Sequence, residues 1–442
     1  MKFIHLTVIV LCLSLAVNAQ RSLSLEEALQ YAVQNSNNVR LAQMDLTDAE
    51  AQIQEVRASA IPTLAANVQY QYFIDLPKSL LPLSAFGGPE GEFAVVEFGL
   101  KNNLTATLDA NAIIFDPSVF VGLKAAKVYR ELVVKQIDQT KSELRYNVAK
   151  SYLAALIAQK NKEVLDKNIS NLEATLNETQ AFYKEGFIEK LDVDRLELSL
   201  NNLRAQAENV GQFIVLSHNL LKFQMGMPLT EAIELADNID ILVGNTLVED
   251  INVAENQLDI TKRPEYDVIK AGQTLNEMNL QSIKAGQLPS LYAFGTQQLT
   301  LQRDNVFDGD QPGWLNATIV GAQLKIPIFD HTRKYKLQQA EVDLQKTQIQ
   351  YEEFVNATNL EYANAKISYL NAKRNVTTSQ NSLDLAQSIH TTTQVKYREG
   401  VGSSLEVTQA EADLYQAQGN YITSLYDLLV AKTDLEKALG KF

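Results

Sequence analysis

Two long stretches of the chain show helical spacing of apolar and polar residues and contain no proline. The first covers residues 118–227 and the second covers residues 328–442. Because proline breaks helix interiors, proline-free windows of roughly 110 residues predict very long helices. Each long helix ends at a glycine and is followed by a second helix that returns along it. The predicted helices are 117–185, 191–226, 330–399 and 404–439.

Apolar residues keep a heptad-like spacing in places along the predicted long helices, for example at Ile137 and Leu144. That spacing is typical of coiled coils. Many other positions carry Gln, Asn, Ser, Thr or Ala, which permits close packing on several sides. At about 1.5 Å per residue, the first long helix would form a rod of about 100 Å, far longer than the helices of globular bundles.

Shorter segments alternate polar and apolar residues with a period of two. In 103–112 every odd position is polar and every even position is Leu or Ala, and 67–74 alternates up to Tyr72. Such alternation predicts a strand, either between lipid and a wet lumen or half-buried in a soluble sheet. In the second half the alternation slips before Leu324, which indicates a bulge or a membrane exit. The predicted strands are about 63–75, 101–114, 290–303 and 314–328.

The chain repeats itself at a constant offset of 214 residues (114 to 328). An Ile-Phe-Asp block at 114–116 recurs at 328–330, and a Tyr-basic-Glu-Gly block at 183–186 recurs at 397–400. Chance similarity between helices would not place both blocks in one register, so the chain carries an internal duplication. Each half then has the same predicted order: helix, strand, loop, strand, long helix, glycine turn and return helix.

The repeat also divides the chain into segments. Residues 1–19 have the features of a secretory signal peptide, with Lys2 before an apolar stretch and a Val-Asn-Ala cleavage site. The one cysteine, Cys12, lies inside that segment, so we expect no disulfide and no cysteine metal site in the remainder. Residues 228–256 lack a clear helical stripe and are expected to link the repeats. The two repeats are 20–227 and 257–442.

The strand count carries a consequence for assembly. Two strands per half make four per chain, and transmembrane barrels start at about eight strands. An open sheet in lipid would leave backbone groups unpaired at both edges. If these strands span a membrane, several chains must therefore associate in a ring. Two copies would supply eight strands and three would supply twelve, and the pattern by itself leaves both numbers open.

Composition excludes several classes of function. The formal net charge is −14, which disfavours nucleic acid as a partner. No segment after the signal peptide has the roughly 18 consecutive apolar residues of a membrane-spanning helix. There is no glycine-rich phosphate loop, nucleophile elbow or HExxH pair, so we expect neither an enzyme nor a cofactor.

Metal binding is also disfavoured. His218 lies near Met225 and Met227, a set that could hold a soft metal ion. Methionine in a helix core is the better interpretation, because it fills apolar interiors well. The other histidines of the remainder, His331 and His390, lie far apart in the sequence. We therefore expect no metal site.

These blocks, in this order and repeated, resemble the TolC-like outer-membrane efflux protein family over essentially the whole chain after the signal peptide. The strand-to-helix blocks at 112–116 and 324–330 carry the resemblance, together with the glycine turns. The turn motifs are 183–186 followed by 190–193, and 397–400 followed by 404–407. The resemblance implies a mainly α fold with a small β part, in which long coiled-coil helices form a periplasmic tunnel. Four strands per chain would contribute to a trimeric, 12-stranded outer-membrane barrel.

The resemblance also implies a role, a location and partners. The chain would be the outer-membrane exit duct of a tripartite efflux or type I secretion system, in the outer membrane of a Gram-negative bacterium and extending into the periplasm. It would form a homotrimer in outer-membrane lipid, and would work with an inner-membrane pump through a periplasmic adaptor (membrane fusion) protein.

In this family the tunnel narrows at its periplasmic tip, where acidic side chains line the closed aperture. Glu406 matches that acidic position, whereas Gln409 stands where the family has a second acidic residue and so departs from its double ring. In the first half Asp192 matches Glu406, and Asp194 adds another carboxylate. An anionic ring of this kind would favour cations. The open alternative is that Asp192 and Glu406 only cap the return helices.

The turns at the same end, 186–191 and 400–405, are where we expect an adaptor to dock. The candidate docking residues are Gly186, Leu191, Gly400 and Leu405. Two other hypotheses about the whole chain stay open. One is a soluble periplasmic helical adaptor or scaffold, against which the alternation of 67–74 and 103–112 counts. The other is an enzyme, which the missing motifs make the weakest.

Overall fold

The computed structural model describes residues 21–248, 258–305 and 313–442. The predicted signal peptide, 1–19, and the end of the predicted linker lie outside these residues. The described residues form two compact units, one from those within 21–46, 132–270 and 349–442, the other from those within 47–131 and 271–348. Each unit therefore takes segments from both sequence repeats. Within the described ranges, none of the helices is both long and apolar enough to cross a membrane.

Two helices, α3 (Pro117–Lys184) and α7 (His331–Arg398), have 68 residues each. Each begins directly after an aspartate, and the two aspartates are related by the repeat. An aspartate before each helix accepts a hydrogen bond from a first-turn amide: Asp116 Oδ1 from the Ser118 amide at 2.9 Å, and Asp330 Oδ1 from the Arg333 amide at 3.2 Å. These bonds satisfy amides that have no partner inside a helix. The helices up to this point are α1 (Leu25–Asn35), α2 (Asn37–Ala58) and α3 (Pro117–Lys184), and α7 is His331–Arg398.

The return helices are α4 (Lys190–Met225) and α8 (Ser404–Ala438), and two further helices are α5 (Ile239–Val248) and α6 (Pro264–Ala285). In the first unit the C-terminal part of α3 packs along α4 through a leucine-rich stripe. Its buried side chains are Leu165, Leu172, Leu176, Val193, Leu196, Leu200, Leu203 and Ala207. Spacings of three, four and seven residues place them on one face of each helix.

A second, larger core of the first unit surrounds Tyr152 of α3, which is fully buried. The Tyr152 hydroxyl donates to the carbonyl of Leu23 at 2.9 Å, so its one polar atom is paired. Leu23 belongs to the short strand β1 (Arg21–Leu23), which pairs in parallel with β6 (Ile233–Leu235). Side chains of α1, α4, α5, α7 and α8 complete this core.

The segment predicted to link the repeats contains regular structure. Residues 228–256 contain strand β6 and helix α5, in addition to residues outside the described ranges. Helix α5 has the sequence IDILVGNTLV, which is apolar on nearly all sides and therefore shows no amphipathic stripe. It is held instead by burial of Ile239, Val243 and Thr246.

The second unit contains a four-stranded antiparallel sheet in the order β2-β5-β7-β8. The strands are β2 (Thr63–Tyr72), β5 (Asn102–Phe115), β7 (Ser290–Arg303) and β8 (Leu315–Lys325). The two central strands come from different sequence halves. Among the described residues, β2 pairs only with β5 and β8 pairs only with β7, so both outer strands have an unpaired edge.

The slipped alternation of β8 does not mark a bulge, which was one of its two predicted explanations. Its pairing with β7 runs without a shift, and the register shift of the sheet lies in β5 between Ile113 and Phe115 instead. A Cβ on Gly321 would lie 2.7 Å from the Phe294 ring, so that ring fills the place of a side chain on this face. Strand β8 also ends at Lys325, before Pro327, because proline has no amide for the ladder.

A hairpin precedes β5 that the pattern did not predict. Strands β3 (Lys78–Pro82) and β4 (Phe93–Glu97) pair with each other, and a short 3-10 turn, Leu83–Phe86, lies between them. The large apolar side chains of this segment are exposed, including Phe86 at 75% and Phe93 at 60%. The hairpin lies in the segment between β2 and β5, which is longer than the corresponding segment between β7 and β8 in the second half.

Candidate functional site

The predicted tip is built from two equivalent glycine turns. Gly186 ends α3 with φ +80° and Gly400 ends α7 with φ +76°, in the left-handed region that glycine adopts without strain. The amide of Gly186 donates to the Tyr183 carbonyl at 3.0 Å, and that of Gly400 to the Tyr397 carbonyl at 3.0 Å. In both turns the next amide reaches back five residues. These bonds pair the last carbonyls of each helix and reverse the chain at the same point of both repeats.

The return helices begin in different ways. Glu189 precedes α4 without a side-chain capping bond, whereas the Ser403 hydroxyl precedes α8 and accepts from the Glu406 amide at 3.3 Å. Asp192 and Glu406 therefore lie in the first turns and are not N-cap residues, so the capping interpretation is wrong in that form. Negative charge in a first turn is still favoured by the helix dipole.

The structure joins the two turns through Asp192. The hydroxyl of Ser404, at the start of α8, donates a hydrogen bond to Asp192 Oδ1 at the start of α4. Ser404 is buried and Asp192 is half-buried. A charge-assisted bond between two otherwise independent turns fixes their relative position. The Asp192 carboxylate is therefore a structural link as well as a negative charge.

The other acidic candidates face solvent. Glu406 is exposed. Its backbone amide donates to the Ser403 hydroxyl that caps α8, and its carboxylate takes no part in that bond. Asp194 is exposed and lies 3.9 Å from the Lys190 ammonium one helical turn earlier. Gln409 is also exposed, and its Nε2 donates to Asp413 Oδ1 at 2.9 Å. The Asp413 carboxylate thus lies beside the side-chain amide of Gln409, the position where the resemblance implied a second acidic residue.

An apolar surface accompanies these charges. Leu191 and Leu405 are 51% and 58% exposed at repeat-related positions, and Phe187 and Val401 in the turns are more exposed still, at 77% and 78%. The two turns together line a pocket of about 770 Å³ that includes Leu191, Asp192, Gly400 and Leu405. The other four candidates, Gly186, Asp194, Glu406 and Gln409, are not part of its described lining. Exposed apolar side chains beside a pocket are typical of an interaction surface.

Basic and aromatic side chains complete the tip. Arg195 lines the same pocket, and the Arg398 guanidinium lies 3.3 Å from the Glu178 carboxylate. Burial raises the pKa of the Tyr397 hydroxyl, and the nearby negative charges of Asp192 and Glu178 raise it further. Tyr397 therefore stays neutral and contributes an uncharged wall to the pocket.

Sequence reasoning named the turns 186–191 and 400–405 but did not single out Phe187, Ser403 or Ser404 within them, and it missed Arg195. One local signal was available for Ser403, because Ser403-Ser404-Leu405-Glu406 has the Ser-x-x-Glu spacing of a helix start. The bond from Ser404 to Asp192 has no local signal, since 212 positions separate the two residues.

His218 and Met225 lie on α4, and Met227 follows the end of that helix. His218 Nε2 lies 3.1 Å from Gln159 Nε2, and Met225 and Met227 are buried in the core of the first unit. Burial lowers the pKa of His218, and the positive charge of Lys222 lowers it further. In the part of the chain that the structure describes, no three His, Cys, Asp or Glu side chains are grouped as metal ligands.

Comparison with known proteins gives consistent results. Residues 268–441 match the family model described as "Outer membrane efflux protein". The "Probable efflux pump outer membrane protein TtgC" of Pseudomonas putida is 20% identical over 425 residues, covering 94% of this chain and 83% of the relative. The "Pyoverdine export outer membrane protein OpmQ" of Pseudomonas aeruginosa is 24% identical over 443 residues, covering 94% of this chain and 85% of the relative.

Solved structures of outer-membrane channels share the fold. The CusC structure superposes with a TM-score of 0.72 at 17% identity, covering 94% of this chain and 91% of CusC. The predicted TolC-like fold, mainly α with a small β part, is thereby confirmed.

Proposed function

We propose that the chain is a member of the outer membrane efflux protein family, whose model matches residues 268–441, and that it is the outer-membrane channel of a tripartite efflux or type I secretion system. It conducts substrates passively from an inner-membrane pump across the periplasm and the outer membrane of a Gram-negative bacterium. The names of TtgC and OpmQ support this role, since both are described as outer-membrane proteins of export systems. They favour it over a soluble periplasmic scaffold or an enzyme.

The observation that carries the proposal is the open sheet of the second unit. Every residue of β2 is exposed, and ten of the eleven residues of β8 are exposed. Strand edges in hydrocarbon leave backbone groups unpaired at a cost of several kcal/mol each, so spanning sheets must close. In our proposal β8 of one copy pairs with β2 of the next, and three copies form a 12-stranded barrel. The long helices α3 and α7, with α4 and α8, supply the wall of the periplasmic tunnel.

We place the closed aperture of the tunnel at the tip of the first unit. Asp192, Glu406 and Asp194 supply its negative charge, and Gln409 with Asp413 extends the polar lining. The bond from Ser404 to Asp192 supports this assignment, because it holds the two turns together. The exposed apolar side chains of the same turns, Leu191 and Leu405 beside Gly186 and Gly400, form the docking surface for the periplasmic adaptor.

Single-channel recording in a planar bilayer tests the proposal. The wild-type protein should show small conductance and prefer cations. The double variant Asp192→Ala/Glu406→Ala should conduct at least about twofold more, because it loses the Ser404 bond that links the two turns, and it should prefer cations less, because it loses two carboxylates. Ser404→Ala should raise conductance while leaving the cation preference in place, since it breaks the link and keeps the charges.

Glu353→Ala is the matched control, since Glu353 is an exposed carboxylate on α7 away from the tip. It should leave conductance and selectivity unchanged. A wild-type protein that forms no channel would contradict the proposed function. Channels that the double variant leaves unaltered would instead contradict only the aperture assignment.

A further inference from the structure

A cavity of about 450 Å³ lies inside the first unit, between α3, α7 and α8. It is separate from the tip pocket, with which it shares no lining residue. A volume of this size is typical of a small-molecule site and is much larger than a bare ion requires. The polar part of its wall includes Asn168, Thr175, His390, Gln394, Glu411 and Gln418.

The wall contains a buried carboxylate without a partner. Glu411 is 2% exposed, and its Oε2 atom is fully buried and receives no hydrogen bond from the described residues. The closest described cation-forming group is His390, whose Nε2 lies 3.9 Å from Glu411 Oε1, beyond hydrogen-bond distance. Burying a carboxylate without a donor is costly, so this group needs a partner that the described chain does not supply.

His390 has a similar deficit. Its side chain is 15% exposed, and its Nδ1 atom is buried without a described hydrogen-bond partner. If Nε2 carries the ring proton and faces Glu411, Nδ1 is left as an acceptor without a donor. Oε2 and Nδ1 are themselves closed to a molecule the size of water, so the Glu411 carboxylate faces the cavity through Oε1.

Neighbouring side chains already have partners of their own. Asn168 Nδ2 donates to Gln418 Oε1 at 2.6 Å, and Gln394 Nε2 donates to Thr175 Oγ1 at 3.4 Å. Lys160, which also lines the cavity, holds Asp240 at 3.0 Å. Its positive charge is therefore committed to another carboxylate. The other lysine of the wall, Lys167, is exposed and forms no ion pair with Glu411 among the described residues.

Aromatic residues provide the remaining contact surface. Tyr415 and Tyr421 both line the cavity, together with Leu414, Ile422 and Leu425. Burial raises the pKa of the Tyr415 hydroxyl, and the nearby charge of Glu411 raises it further. A carboxylate beside aromatic rings is a combination that stabilises organic cations.

We propose that this cavity binds a small organic ammonium ion, whose N–H groups donate to the carboxylate of Glu411 while its carbon chain contacts the tyrosines. An ammonium group supplies both the missing positive charge and several donors. A metal ion fits less well, because His390 and Glu411 belong to no metal-binding group of three acidic, histidine or cysteine side chains within the described ranges, and the other carboxylate of the wall, Asp240, is paired with Lys160. The proposal does not depend on the channel function.

Calorimetric titration of the full-length protein in a neutral detergent tests this site, with n-butylammonium chloride as the probe. We expect saturable binding that is at least about tenfold weaker in Glu411→Gln, which keeps the shape and removes the charge. The control Glu353→Gln should bind as the wild type does. N,N,N-trimethylbutylammonium has the charge without N–H donors and should bind more weakly than the probe, and neutral n-butanol should not bind.

The ligand series keeps the test informative even if Glu411→Gln folds poorly, because it uses the wild-type protein. Absence of saturable butylammonium binding to the wild type would overturn the proposal. So would equal binding to a folded Glu411→Gln variant, or equal binding of butylammonium and n-butanol. Binding of Zn²⁺ that butylammonium does not displace would show that a metal ion occupies the cavity and would overturn it too.

Discussion

At the scale of single residues, the sequence identified the charged positions of the tip but not the bonds that they form. Asp192 and Glu406 are related by the repeat, and the same offset relates Lys190 to Ser404. The repeat therefore predicted that equivalent turns exist. It could not predict that they lie side by side, because that depends on how four helices pack rather than on any local pattern.

A buried charge cluster beside α6 shows the same limit. Arg263 is 5% exposed and forms two bonds to the Glu265 carboxylate, at 3.1 Å each, and one to Glu361 Oε2 at 2.9 Å. Burial alone would raise the pKa of Glu265, but the hydrogen bonds and charge of Arg263 outweigh it and lower this pKa. Nothing in the local sequence pairs residues 263 and 361.

This cluster predicts a dependence of stability on pH. Because the folded-state pKa of Glu265 lies below its unfolded value, its contribution is present above about pH 4.5 and is lost as the pH falls through the folded value. Arg263→Ala should lower the free energy of unfolding by about 1–3 kcal/mol at pH 7, since it leaves the half-buried carboxylate of Glu265 without its charged partner. Thermal melts between about pH 7 and pH 3 measure both effects.

Glu265→Gln is the control for this prediction, and it should show a shallower loss of stability in acid than the wild type. If both proteins lose stability in parallel below about pH 5, the acid sensitivity arises elsewhere in the chain.

At the scale of elements, the long helices were predicted to within one residue. The absence of proline, the aspartate before each helix and the glycine after it are strong local signals. The linker helix α5 and the β3–β4 hairpin were missed for opposite reasons. Helix α5 is apolar on nearly every side, so it shows no amphipathic stripe. The hairpin strands are only five residues long, β3 ends at Pro82, and glycines lie in the connection to β4.

The glycine turns provide a prediction at this scale. Gly400→Ala should destabilise the fold by about 1 kcal/mol, because its φ of +76° is unfavourable for any residue with a Cβ. Gly419→Ala should stabilise it by about 0.5–1 kcal/mol, because this glycine lies inside α8 and an added Cβ would meet no atom within 4 Å. Melting temperatures of the two variants should therefore shift in opposite directions.

These two variants are matched, since each adds one methyl group with open space around it. Equal shifts of the same sign would show that backbone conformation does not decide the effect.

At the scale of the whole molecule, the sequence repeats and the compact units differ. Each unit combines segments from both repeats. Each long helix begins in the second unit and ends in the first, and its return helix lies wholly in the first. Offset comparison detects duplication, whereas unit boundaries follow spatial contacts. The open sheet edges, by contrast, were predictable from the strand count alone.

Those edges predict the number of copies. Electron microscopy of protein purified from detergent-solubilised membranes should show three-fold particles, since three chains supply 12 strands for the proposed barrel. Chemical cross-linking of the same sample should give a ladder that ends at three chains. Two-fold particles would support eight strands and contradict the trimer, and monomers would contradict the barrel.

The pairing of β5 with β7 also has a consequence for how the chain reaches its native state. These strands form the centre of the sheet, and the bond from Thr296 to Asp109 across them joins residues 187 positions apart. A loop of that length must close before the central ladder can form, which makes its nucleation slow. During synthesis β2 and β5 emerge first and can pair only with each other. Until β7 is synthesised, both edges of the β2–β5 pair are unpaired. The pair therefore needs protection from aggregation over that interval.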